Sequence, residues 1–204
     1  MKKVSFCLLA LFLILSSCEK DKVTQLSFSL KNLSSLLDKS SDHVKKASPG
    51  DLYLNETDYT IYKITGAISG MDKNYLYYNF VDDRCDYVII LPEGSNSLPD
   101  SELFMNLAET EIGEAEGYYV AYYDAQLQSQ EEEFSSLDEL WTFIDVEGIT
   151  VDKVDELLGM YFYEDFYFMA GGFYEQTSKD FQSMIQIGKQ EDLTGKKNFS
   201  LKAF

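Results

Sequence analysis

Histidine is almost missing: His43 is the only one in 204 residues. It sits in an N-terminal segment whose Lys- and Ser-rich composition differs from everything after it. The body of the chain therefore has no imidazole for Ser-His-Asp or Cys-His catalysis, HExxH zinc chemistry or a multi-histidine metal site. Positive charge is the second shortage, with 17 Lys+Arg against 35 Asp+Glu, a net charge of −18 and a pI near 4.3. Nucleic-acid binding is excluded on that balance, because a phosphate backbone must be met by clustered Lys and Arg. No GxGxxG, Walker or EF-hand pattern occurs and no repeat of fixed period, so neither a cofactor nor a metal is implied. Long apolar runs are lacking too. The run over residues 4–15 has 12 residues, short of the ~20 that span a bilayer as a helix.

That run follows Lys2 and Lys3 and has the shape of a signal peptide. Leu15-Ser16-Ser17-Cys18 stands directly after it and resembles the lipobox of bacterial lipoproteins. The resemblance covers residues 1–22 at most. It implies cleavage before Cys18, acylation of that cysteine with palmitate-type chains, and residence in the cell envelope as an outer-membrane lipoprotein. Several acyl chains on one residue anchor stably, at ~0.8 kcal/mol per buried CH₂. Glu19-Lys20-Asp21-Lys22 is similar to the charged tether of lipoproteins from Bacteroidota-type bacteria, some of which reach the cell surface. With Cys7 in the signal and Cys18 carrying lipid, Cys85 is the one free thiol and no intramolecular disulfide can form. A small buried residue at a strand end is its expected role.

Three segments are expected: a signal peptide over 1–17, a lipid-anchored tether over 18–50, and one acidic domain over 51–204. In the tether, Leu26, Leu30, Leu33, Leu37 and Val44 fall near one stripe, which predicts a helix over about 29–46 or else a partly ordered linker. Strands are predicted over 59–65, 75–81, 86–91 and 118–123, the first three joined by hairpins. Asp100 is the expected N-cap of a short helix carrying Leu103 and Leu107. Ser136 and Glu139 form a capping box for an amphipathic helix ending at Gly148, with Leu137, Leu140, Trp141 and Ile144 inward. Thr150 is expected to cap a second helix bearing Val151, Val154 and Leu158 and ending at Gly159. Two strands around an Ala170-Gly171-Gly172 turn, an alternating strand at 181–187 and an edge strand over 199–204 complete the pattern. The fold class expected is α+β, a single domain with a mostly antiparallel sheet and two or three packed helices.

Two excesses bear on function. Between Arg84 and Lys153 lie 68 residues with 17 Asp or Glu and no Lys or Arg, including Glu131-Glu132-Glu133. Such a stretch is a solvated surface that keeps the protein soluble, a docking face for a basic protein with Glu131, Glu132 and Glu133 as the candidate binding residues, or, as a third alternative, a scattered carboxylate cluster for a divalent cation. Aromatics are the other excess: eight of the fourteen residues over 161–174. They fill a core, or they stack on sugar rings beside carboxylates that accept hydroxyl hydrogen bonds. The expected role is a lipid-anchored, non-catalytic binding module for a basic protein. A surface glycan-binding protein and a two-carboxylate glycosidase are the alternatives.

Overall fold

The computed structural model describes residues 24–93, 97–175 and 180–191. Cys18, the signal peptide and the strand expected over 199–204 lie outside them. Nine strands form one antiparallel sheet: β1 (Asp51–Asn55), β2 (Tyr59–Ile68), β3 (Met71–Val81), β4 (Arg84–Pro92), β5 (Gly117–Tyr123), β6 (Ser129–Phe134), β7 (Val154–Tyr163), β8 (Phe166–Glu175) and β9 (Asp180–Lys189). Their spatial order is β1-β2-β3-β4-β9-β8-β7-β5-β6. Among the described residues four helices accompany them: α1 (Leu30–Ser34), α2 (Ser41–Ala47), α3 (Leu98–Ile112) and α4 (Leu137–Glu147). The molecule is mostly antiparallel sheet with packed helices, richer in strand than an even α+β mixture. Among the described residues no helix is long and apolar enough to cross a membrane.

All four helices contribute to one core on one face of the sheet, where Phe104, Met105 and Ala108 of α3 meet Phe168, Ala170, Ile185 and Ile187. Alternation along each strand sends the odd-numbered residues of β8, such as Tyr167 and Met169, to the other face. There a second cluster of Leu158, Tyr167, Met169 and Met184 contains no helical residue. Buried tyrosines satisfy their hydroxyls at the edge of the main core: Tyr62 donates to the Lys45 carbonyl (2.9 Å), Tyr161 to that of Met105 (3.2 Å), and Tyr78 accepts from Ser48 (2.9 Å). Much of the aromatic excess is thus core.

The segment before Asp51 is part of this body. Instead of one helix over 29–46 there are two, each started by a serine: Ser29 caps α1 and Ser40 caps α2. Between them Asp38 has a positive φ of 61°, its backbone N–H donates to the Cys85 carbonyl (2.8 Å), and its carboxylate pairs with Lys189. Leu30, Leu33, Leu36, Leu37 and Val44 are all buried in the main core.

The hairpins are as expected, with Asp82 and Asp83 forming a tight β3–β4 turn at φ 49° and 61°. Half of the capping box forms: Ser136 accepts from the Glu139 N–H, but the Glu139 carboxylate accepts from the N–H of Ser135 (3.1 Å), one residue before the cap, and Gly148 is left-handed at φ 60°. Three expectations are corrected. The N-cap of α3 is Ser97, and Asp100 lies in the first turn with its carboxylate accepting from the Ser97 hydroxyl at 2.5 Å. The helix expected after Thr150 is one 3-10 turn (Val151–Lys153) leading into β7. Val154, Leu157 and Leu158 are buried on both faces of that strand, and a doubly buried strand loses the period-2 signal that would mark it. The hairpin expected at Ala170-Gly171-Gly172 turns instead at Glu164, with φ 53°, and the two glycines lie mid-strand in β8. They are there for close approach. A Cβ on Gly171 (φ 148°) would run into the Leu157 carbonyl, and one on Gly172 would sit 2.5 Å from the Phe181 ring and 2.8 Å from the Ser101 hydroxyl of α3.

Candidate functional site: an acidic trough on the helix-free face

β6 was not expected, yet it decides where the acidic run points. Glu131, Glu132 and Glu133 lie on this strand at the end of the sheet, all exposed, and strand alternation separates them. Glu133 pairs with Tyr119, Glu131 with Ala121, and Glu132 with Val120, whose side chain is in the main core. Glu131 and Glu133 therefore face the helix-free side, and Glu132 faces the helical side.

Register extends the row across three strands. Ala121 pairs with Glu131 on one side and with Glu156 of β7 on the other. Its methyl group is thus a low floor flanked by two carboxylates, their backbones two strand spacings apart, ~9.5 Å. The next row is Glu133, Tyr119 and Leu158. Together these rows line an open trough of about 910 Å³ whose walls include Glu116, Glu131, Glu133, Asp155 and Glu156, with Tyr119 and Tyr123 beside them. No Lys, Arg or His is among its lining residues.

The electrostatics follow. Half-buried Glu156 is pushed up to about 7, first by loss of hydration and then by the charges of Asp155 and Glu131. Tyr119 is raised to about 12 by burial and by Glu131 and Glu156. Glu93 is the contrasting case. Lys63 at 2.5 Å, Tyr75 at 2.8 Å and Lys73 at 3.3 Å hold it down near 2. Glu93 has cations beside its carboxylate, and Glu156 has none among the residues lining the trough.

Of the residues singled out by sequence, the trough unites Glu131 and Glu133 and leaves Glu132 out. Glu116, Asp155, Glu156, Tyr119 and Tyr123 were missed. Tyr119 and Tyr123 could have been found from the parity of β5, whereas Glu156 was hidden by the helix expected at 151–158. Cys85 is fully buried in β4 and raised to about 12 by burial, so its thiol is a packing element. Among the described residues, no group of three or more His, Cys, Asp or Glu is arranged to hold a metal ion.

The tyrosines elsewhere on this face use their rings on each other. Tyr59 stacks on Tyr77 at 5.2 Å and Tyr77 on Tyr87 at 6.3 Å, along β2, β3 and β4. Ring faces spent in this ladder are not free to stack on sugar.

No protein-family model and no curated protein matches this chain. Among solved structures, a cysteine-rich secretory protein from Staphylococcus aureus subsp. aureus Mu50 aligns over 85% of this chain at 14% identity and a TM-score of 0.28. The alignment spans 49% of that protein, about half its length, and at that score it carries no argument.

Proposed function

We propose that this chain is a lipid-anchored envelope protein acting as a non-catalytic binding module, which docks a basic protein through the trough at β5, β6 and β7. The lining carries the reading: five carboxylates and no cation converge on one open concavity. Burying one of them partly, at the cost of raising Glu156 to about 7, is unfavourable in the free protein. A cationic side chain seated over Ala121 relieves that cost and restores the charge. The remaining acidic surface accelerates encounter over a reach of ~8 Å at 0.15 M salt and ~30 Å at 0.01 M. Cys18 supplies the anchor in this proposal, and the segment before Leu26 the tether.

A basic probe protein, hen egg-white lysozyme, tests the docking face. Amide shift mapping should place contacts on Tyr119, Ala121, Glu131 and Glu156, with binding that weakens steeply as salt rises. Contacts confined to α3, or none, overturn the proposal. Mass spectrometry of the native N-terminus tests the anchor: acyl chains are expected on Cys18 and lost in Cys18→Ser, and an unmodified soluble terminus contradicts it.

Tyr119 and Tyr123 in the trough favour a second reading, a glycan site. Binding of a neutral oligosaccharide that ignores salt and is lost in Tyr119→Ala would establish it. The carboxylate row also bears on glycosidase chemistry, where a protonated acid faces an ionised partner. Hydrolysis of an aryl glycoside that disappears in Glu156→Gln would replace the binding reading by an enzymatic one.

A further inference from the structure

Among the described residues β6 is paired on one side only. Its six residues pair in unbroken register with β5, and the spatial order of the sheet ends there. In an antiparallel edge strand, alternate residues point both backbone groups outward, so β6 offers up to about six hydrogen bonds to a further strand. Three consecutive exposed glutamates occupy this edge. They bar a second copy of the same edge, which would set Glu directly opposite Glu.

We infer that the basic partner engages the trough as an extended segment, added antiparallel to β6 as a tenth strand, with Lys or Arg at three successive positions. The inference rests on the proposed docking of a basic protein and specifies its form. Charge complementarity on both sides of the strand selects this occupant. Residues opposite Glu131 and Glu133 project over the trough, toward Tyr119 and Glu156. The residue opposite Glu132 projects to the helical side, where Phe134, Phe143 and the 75% exposed Val146 leave an apolar notch of about 500 Å³ beside Asp138 and Glu139. A cation there has an apolar shelf for its stem and carboxylates for its head. A folded basic patch or a helix satisfies the charges but leaves the outward N–H and C=O groups of β6 to water. Strand addition satisfies both.

The other edge of the sheet differs. β1 is short, shifts register between Leu52 and Leu54, and presents Leu52 and Tyr53 at 56% and 63% exposure without an acidic row. Nothing about it selects a basic segment.

The test uses the full chain and three capped hexapeptides of sequence Thr-Lys-Arg-Lys-Val-Thr. One has an ordinary backbone. The other two are N-methylated at alternate residues, one in each possible frame, so that both keep the charge and only the frame whose blocked residues face β6 loses strand pairing. Fluorescence titration at low salt should show the ordinary peptide binding at least about tenfold more tightly than the methylated peptide whose blocked residues face β6. Amide exchange should slow at the alternate, outward-pointing N–H groups of β6 and not in β1. Equal binding of all peptides, or slowing confined to positions outside β6, overturns strand addition while leaving trough docking in place. No binding by any peptide, together with no salt-dependent binding of lysozyme, overturns both.

Discussion

Replacing Glu156 by glutamine keeps the size of the side chain and removes its ability to ionise, so the variant isolates the cost of holding a carboxylate in the trough. Burial and the neighbouring charges of Asp155 and Glu131 move Glu156 from an ordinary 4.5 to about 7. At 1.36 kcal/mol per pH unit that displacement corresponds to about 3 kcal/mol. Glu156 is only half-buried, and solvent screening reduces the usable figure to about 1–2 kcal/mol. The direction is fixed by the raised value. The folded state holds the proton more tightly than the unfolded chain, so the fold carries no penalty below 4.5. The penalty grows as pH rises from there to about 7 and is constant above it. Glu156→Gln carries none at any pH. Urea unfolding followed by fluorescence should therefore give matching midpoints for the two proteins near pH 4. Near pH 8 the variant should be the more stable, by roughly 0.5 M urea at the usual slope of about 2–3 kcal/mol/M. A difference that does not change with pH, or a wild type that gains on the variant as pH rises, refutes the reasoning.

Leu33→Ala removes a fully buried side chain of α1 from the main core, and a loss of about 2–5 kcal/mol in urea unfolding is expected if the segment before Asp51 belongs to the body. A change under about 0.5 kcal/mol would make it an appendage. Gly171→Ala drives a methyl group against the Leu157 carbonyl at a φ of 148°, so thermal melting should fall by many degrees or the protein should fail to fold, and a near-native melting temperature would show that β7 and β8 can part without cost. Cys85, raised to about 12 and buried, should resist alkylation at pH 8 in the folded protein and react once urea is added. Peptide mapping reads this directly, and rapid labelling of the folded form would contradict the packing role.

The elements legible in the sequence are those whose signal is local. The β3–β4 hairpin needs only Asp82 and Asp83 between two apolar alternations, and α4 is written in Ser136, Glu139 and Gly148. Failures came where tertiary contact replaces local signal. β7 has apolar residues on both faces, so its spacing also fits a helix, and only its place between β5 and β8 decides against one. Gly171 and Gly172 have the composition of a turn, but their reason is the approach of Leu157, Phe181 and Ser101 from elsewhere in the chain. β6 was missed because Ser129 to Glu133 contains no apolar residue, as befits an edge strand exposed on both sides. The candidate site was half legible for the same reason: an acidic run is visible in sequence, while the register joining Glu131 to Ala121 and Glu156 is not.

The claim that the trough, and not acidic charge at large, receives a cationic partner is tested most directly by a charge-matched comparison of association rates. One triple variant, Glu131→Gln with Glu133→Gln and Glu156→Gln, neutralises the trough. The other, Glu102→Gln with Asp145→Asn and Glu147→Gln, removes the same number of carboxylates from exposed helical positions outside its lining, and at a pH about two units above the raised value of Glu156 the two variants also remove nearly the same charge. Stopped-flow association with lysozyme at low ionic strength should fall by roughly tenfold for the first variant and by less than about twofold for the second. Equal slowing of both would show that the acidic surface acts only through its total charge, and the trough would lose its standing as a binding site.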